Sequence, residues 1–291
     1  MKLRTLIHKI NVTLFLIVGI VPIVYFARIQ YGSAESLPAT DSTSDSTGEL
    51  QSETDSLGSL LDRKVTNLAF GVGERLEFSI NYGFINAGSA MMETLEMVEW
   101  EGRPCYHIRT LAKSNSFFSS FFPVNDTVLT IMDAVGLYSW HFEKKLKEGS
   151  YSSDRIYTFD HINKRAFYQN DTIPIPSFIQ DALSSLYYVR TLDLKVGESV
   201  FVDNFSSGKV SKLEIKALRR ETIETQAGEF DCIVVEPLMQ AAGVFKHDGR
   251  LTVWLTNDKL KMPVMMKSKA LVGSISAELV NYELGEIEEF Y

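Results

Sequence analysis

The sequence predicts a mainly β fold: an antiparallel meander forming a curved sheet or open barrel with one covering α-helix. Three observations carry that expectation. From about Gly71 onward apolar residues recur at every second position, short polar turns separate the segments so formed, and one stretch, Pro176–Leu192, follows a helical period instead. Alternation at period two marks a strand with one wet face, because successive side chains leave opposite faces of the pleated backbone.

Arg75–Tyr82 is the clearest strand, with Leu76, Phe78, Ile80 and Tyr82 on one face. Asn86-Ala87-Gly88 reads as the turn that follows, and Ala90–Trp100 as the returning strand. Glu101-Gly102-Arg103-Pro104 then leads into Cys105–Ala112. Further strands are expected at Thr127–Asp133, Leu137–Lys147, Tyr151–Asp160, Arg165–Tyr168, Ser199–Phe205, Lys209–Leu218, Glu229–Pro237, Arg250–Leu255, Pro263–Lys269 and Ile275–Tyr282. Turns as short as Asn257-Asp258-Lys259 leave no room for helical crossovers, so sequential strands pair antiparallel. Within Pro176–Leu192, the residues Phe178, Ile179, Ala182, Leu183, Leu186, Tyr187 and Val189 recur at i, i+3 and i+4. Pro176-Ser177 suits a helix start. A lone amphipathic helix needs a partner for its apolar stripe, which places it over a sheet face or in a barrel end.

The chain before this body has a different composition. Residues 1–34 carry Lys2, Arg4, Lys9 and Arg28 with no acid, around an apolar run from Val12 to Ala27. That is a signal peptide or an N-terminal membrane anchor; Gly32-Ser33-Ala34 offers small residues for cleavage, and retention would leave membrane contact through this segment. Either way the body is exported, to the periplasm or the periplasmic face of the inner membrane. Residues 35–62 are rich in Ser, Thr, Asp and Glu and hold seven acids and no base, a solvated polar linker that cannot bury enough apolar area to fold. Residues 63–291 are expected to form a single β-rich domain.

The net charge of −8 excludes the basic footprint of a nucleic-acid binder. His8, His107, His141, His161 and His247 form no metal-ligand spacing, and no phosphate loop, dinucleotide fingerprint or nucleophile elbow is present, so no metal, cofactor or catalytic residue is expected. Cys105 and Cys232 are the only cysteines; in an oxidising compartment they either pair or stay as two buried thiols.

Four segments resemble one exported bacterial family: Gly73-Glu74-Arg75-Leu76-Glu77-Phe78, Asp181-Ala182-Leu183-Ser184-Ser185-Leu186-Tyr187-Tyr188-Val189-Arg190, Thr225-Gln226-Ala227-Gly228-Glu229-Phe230-Asp231-Cys232 and Val253-Trp254-Leu255-Thr256-Asn257-Asp258. The family is the one catalogued as domain of unknown function 3108. The resemblance covers about residues 68–285 and implies a periplasmic or surface-side β-rich domain with no established activity. The layout is also similar to that of periplasmic lipoprotein carriers with an open β-barrel, an architectural likeness that does not fix function.

One local feature lies outside the alternating pattern. Phe117, Phe118, Phe121 and Phe122 fall within six residues between strands. Exposing four Phe is unfavourable, so they should pack, line a cavity, or meet lipid or a partner. The functional expectation is a non-enzymatic module that binds a hydrophobic, lipid-like ligand in a β groove lined by these four Phe and by Leu183, Leu186 and Tyr187. The alternative is an envelope assembly or adaptor protein acting through protein–protein contacts.

Overall fold

The computed structural model describes residues 61–241, 244–245, 251–269, 273–288 and 290. The expected N-terminal segment, and the linker up to residue 60, lie outside them. The strands are β1 (Arg75–Tyr82), β2 (Ile85–Trp100), β3 (Arg103–Ser114), β4 (Asn125–Asp133), β5 (Ser139–Glu148), β6 (Tyr151–Asp160), β7 (Arg165–Tyr168), β8 (Asp171–Pro174), β9 (Ser199–Ser206), β10 (Lys209–Thr225), β11 (Gly228–Ala241), β12 (Val244–Phe245), β13 (Leu251–Thr256), β14 (Pro263–Lys269) and β15 (Ser274–Glu283). Two helices interrupt them, the single turn α1 (Ser116–Ser119) and α2 (Ala182–Arg190).

All these strands belong to one antiparallel sheet in the order β8-β7-β6-β5-β4-β3-β2-β1-β15-β14-β13-β11-β10-β9, with β12 paired to β11. The chain therefore starts mid-sheet, meanders out to β8, crosses through α2 to the opposite edge at β9, and meanders back until β15 pairs with β1. β8 and β9 do not pair, so the curved sheet is not closed by a ladder. Other contacts fill the seam. The Phe205 ring meets the edges of Tyr157 and Phe159 at centroid distances of 5.1 and 5.2 Å. Gln180 forms a parallel bridge to Asn204 of β9 and donates its side-chain amide to the Leu137 carbonyl at 2.6 Å.

Alternation sends Leu76, Phe78, Ile108, Val128, Tyr157, Val253 and Leu279 inward, and all are buried. α2 crosses this interior and is tied at both ends. At its N-terminus Asp181 accepts from the backbone N–H groups of Leu183 and Ser184 at 2.6 and 2.9 Å, while Ser184 reciprocates to the Asp181 N–H, a capping box. Thr130 also donates to the Asp181 carboxylate. At the C-terminus Arg190 is fully buried and grips Glu74 through two nitrogens at 2.7 and 2.6 Å. It donates further to the carbonyls of Ala69 and Leu260 at 2.7 and 3.0 Å, so one guanidinium joins α2 to the start of β1 and to the β13–β14 turn. A second, smaller core lies on the outer face, where Leu61 packs with Cys105, Ile131, Tyr138 and Trp140. Leu61 falls inside the stretch expected to be linker, so packing begins at that stretch's last residues.

Several expectations need correction. The first hairpin turns at Gly83, which has a φ of +59°, not at Asn86-Ala87-Gly88. Gly88 is instead inside β2, where a Cβ would sit 2.1 Å from the Lys113 carbonyl oxygen; the glycine serves close strand approach, not a turn. The helix begins after Asp181 and not at Pro176-Ser177, because the chain turns at Ser177-Phe178, with Phe178 at a φ of +62°, and Gln180 is then held by β9 and the Leu137 carbonyl. β8 and β12 were not anticipated, and β10 and β11 run longer than expected. Cys105 and Cys232 are both free. They occupy β3 and β11, separated in the sheet by β2, β1, β15, β14 and β13, whereas neighbouring strands alone take about 4.8 Å each and a disulfide needs Cα atoms within roughly 7 Å.

Candidate functional site: the rim carrying α1

Antiparallel alternation divides the connections between two ends. The β2–β3, β4–β5, β6–β7, β10–β11 and β13–β14 turns share the end where α2 enters, and the β1–β2, β3–β4, β5–β6, β7–β8 and β9–β10 connections share the other, which carries α1.

α1 is one helical turn held by polar side chains. Asn115 caps it by accepting from the Phe118 N–H at 2.9 Å, and its own amide donates to the Asn86 carbonyl at 2.8 Å, which ties α1 to the tip of the first hairpin. The Ser114 hydroxyl accepts from the Val124 N–H at 2.8 Å and meets the Ser119 hydroxyl at 2.7 Å, closing the loop at its base. The four phenylalanines then split. Phe118 and Phe122 turn inward and are buried, whereas Phe117 and Phe121 are 67% and 47% exposed. The Phe117, Phe118 and Phe121 rings stay within 5.3–5.6 Å of one another, so outer and inner rings form one stack of contacts. Phe122 lies against Gly149 of the β5–β6 turn so closely that a Cβ there would meet the ring at 2.6 Å. Beside α1 a depression of about 310 Å³ runs over β1, β2, β3 and β15, lined by Phe78, Ser79, Asn86, Ser89, Lys113 and Asn115 among others.

Charged groups occupy the inner wall near this rim. Lys144 on β5 faces Arg155 on β6, a like-charge pair, and Asp126 and Glu148 balance them. Burial pulls the Lys144 ammonium down to about 8, against the opposite pull of Glu148 and Asp126. Its Nζ is buried without a hydrogen-bond partner. Burial likewise raises the Asp126 carboxyl, although it accepts from the Lys147 N–H at 2.9 Å.

The helix residues named from the sequence lie elsewhere. Leu183 and Tyr187 are fully buried in the interior core, Tyr187 edge-on to Phe70 at 4.8 Å, and Leu186 is half-buried against the same core. The N-cap of α2 sits beside Thr130 and Ser139, five residues up β4 from its start at Asn125 and at the first residue of β5. The structure therefore does not bring the Phe117–Phe122 loop and the Leu183–Tyr187 stripe into one lining. Phe84 and Ile85, at 108% and 57% exposure, are the rim residues the sequence reading missed. Their signal was an apolar pair directly after Gly83, hidden by the misplaced turn.

The two cysteines, His161 and Asp133 are occupied structurally. Burial raises both thiols, Cys105 and Cys232, to about 12, so each stays protonated. His161 accepts the Phe178 N–H on Nδ1 at 3.0 Å, which leaves Nε2–H to donate to the Ser139 carbonyl at 2.7 Å; burial lowers it to about 4, and it stays neutral. Asp133 accepts from Arg103, the N–H groups of Val135 and Gly136, and the Trp140 indole. Among the described residues no three His, Cys, Asp or Glu side chains gather as a metal site, and no helix is long and apolar enough to cross a membrane.

The fold has counterparts. A β-barrel-like protein of domain of unknown function DUF1849 from Brucella abortus superposes with a TM-score of 0.50 at 9% identity, covering 75% of this chain and all of that one. A candidate lipoprotein from Parabacteroides distasonis reaches 0.34 at 10% identity over 76% of this chain and all of the other, and a candidate exported protein with a YmcC-like fold from Bacteroides fragilis reaches 0.28 at 12% identity over 75% and 99%. No curated protein sequence matches significantly. Residues 77–280 match the family model described as protein of unknown function DUF3108, most of the chain and nearly all of its sheet. The four segments singled out in the sequence now have physical roles: they supply the Glu74–Arg190 lock, the Asp181 cap, the β10–β11 turn and the Asn257–Asp231 contact at 2.9 Å between the β13–β14 turn and β11. The chain belongs to the DUF3108 family.

Proposed function

We propose that this protein is an exported envelope protein that takes a hydrophobic, lipid-like ligand at the rim carrying α1. Export rests on the basic and apolar segment of residues 1–34 followed by a polar linker. The ligand reading rests on one observation: Phe117 and Phe121 stand open above buried Phe118 and Phe122, beside the depression that runs from Asn115 to Phe78. Such a lip offers an alkyl chain an apolar foothold at the edge of that depression, whose other walls include Ser79, Asn86, Ser89 and Lys113. Leu183, Leu186 and Tyr187 take no part in this reading, since they pack in or against the core and α2 is locked.

Native mass spectrometry of protein extracted gently from its own envelope tests it. A stoichiometric lipid that is lost from a Phe117→Ser/Phe121→Ser variant is the expected result. A bare chain that also fails to take up a fluorescent fatty acid saturably would end the proposal. The adaptor alternative is favoured by the exposed β9 edge, where Phe201 is 57% open; crosslinking that captures one envelope protein through β9 and leaves the rim free would support it.

A further inference from the structure

We infer that the rim carrying α1 is a membrane-docking face, shaped to lie against an anionic lipid bilayer. The inference shares α1 with the ligand reading but needs no lipid inside the barrel.

The apolar surface comes first. Phe84, Ile85, Phe117 and Phe121 are 108%, 57%, 67% and 47% exposed, and the two tips that carry them are joined by the Asn115–Asn86 hydrogen bond. With about 200 Å² available on each Phe, these residues present roughly 500–550 Å², the upper range of what a monomer leaves open in one patch. Phe84 is the most exposed of the four, on a tight turn directly after Gly83. A small projecting wedge of this kind can enter a bilayer interface without disturbing the sheet.

Charge supplies the second argument. Among the described residues within two positions of the connections at this end, Lys113, Lys147, Lys209 and Lys269 are exposed, and Asp171 is the exposed carboxylate; Asp126 and Glu148 are buried. The opposite end is the reverse, with Glu99, Glu101, Glu224, Glu229, Asp258 and Glu286 exposed against Lys164, Arg165 and Lys259. A protein of net charge −8 has thus gathered lysines around its aromatic tips and acids at its far end. A polybasic belt around an apolar wedge is the complement of anionic head groups over hydrocarbon. A protein partner would also need a shaped, complementary pocket for each aromatic, whereas a bilayer accepts them without one.

The test places a reporter at the tip. Phe84→Trp and Phe117→Trp are made separately in the full chain, with Ile156→Trp, 45% exposed in the middle of β6, as the wall control, each read against the emission of the native tryptophans. Vesicles of phosphatidylglycerol and phosphatidylcholine carrying brominated acyl chains should blue-shift and quench both rim reporters and leave the wall reporter unchanged. The response should vanish on pure phosphatidylcholine and at about 0.5 M salt, where the Debye length is roughly 4 Å. Lys113→Glu should weaken binding by more than about fivefold, the factor for losing a single lysine near an anionic surface. Equal quenching of rim and wall, quenching indifferent to lipid charge, or rim emission already blue-shifted without vesicles would overturn the inference; the last would mean that the chain's acidic linker or a second copy covers the rim.

Discussion

The two ends of the barrel meet opposite demands. At the α2 end the buried charges are matched: Glu74 holds Arg190, Asp133 holds Arg103, and Asp181 is surrounded by donors. At the α1 end aromatic rings stand in solvent and a buried lysine, Lys144, lacks a hydrogen-bond partner. Matched ion pairs in low dielectric give a rigid closure, while exposed apolar groups leave binding potential unused. A scaffold sealed at one end and reactive at the other confines function to the end that is not sealed.

The largest expected effect tests the seal. Glu74→Gln leaves the Arg190 charge buried without its counter-ion, and breaking a buried pair from one side typically costs about 3–5 kcal/mol. The urea midpoint should fall accordingly. The double variant Glu74→Leu/Arg190→Met should recover part of that loss, because no charge is then left stranded. A single-variant cost below about 1 kcal/mol would show that α2 is held by apolar packing alone, and the contrast between the ends would lose its energetic basis.

That lock also marks the limit of what the sequence discloses. Strands with a wet outer face, such as Tyr151–Asp160 and Pro263–Lys269, were legible to the residue, since alternation is a local signal. Glu74 and Arg190 lie 116 positions apart, and no local pattern announces that they meet. The same reason hid the rim: the Phe117–Phe122 run was visible as a break in the alternation, but its union with Phe84 and Ile85 depends on Asn115 reaching Asn86 across the strands. Gly88 misled because a glycine demanded by a close-lying carbonyl looks, in sequence, like a glycine demanded by a turn. The true helix start had a local signature, Asp181 with Ser184 three residues on, that competed with the more familiar Pro176-Ser177.

Next in size are two pH effects of the same sign in separate windows, one for each end, since in both the unfolded chain binds the proton that the folded chain refuses. His161, beside the β6–β7 turn, titrates near 4 when folded against an ordinary 6.5. Above 6.5 both states are neutral; between 6.5 and 4 the unfolded chain takes up a proton that the folded chain refuses, so stability falls as pH falls, by up to roughly 3 kcal/mol. Lys144 titrates near 8 when folded against 10.5. Between 8 and 10.5 the unfolded chain stays charged while the folded chain has already shed its proton, so stability rises with pH across that window, again by up to roughly 3 kcal/mol. Urea titrations of His161→Gln and Lys144→Met should each flatten one window and spare the other. If Lys144→Met left the alkaline limb unchanged, the amine would be better matched than its surroundings indicate.

The smallest effect is the most discriminating. Phe84→Ser and Phe117→Ser remove large apolar side chains, and in a core such changes are severe, yet here each should shift stability by no more than about 0.5 kcal/mol. The expectation follows from exposure alone: an open ring gives up little contact with the protein when it is removed, and the unfolded chain hydrates it equally. Thermal unfolding followed by circular dichroism, with light scattering to register any gain in solubility, supplies the measurement. A loss above about 1 kcal/mol would mean that the rings fold down onto the barrel in solution and close it. The rim would then be a second seal, and neither a ligand nor a bilayer would find a surface there.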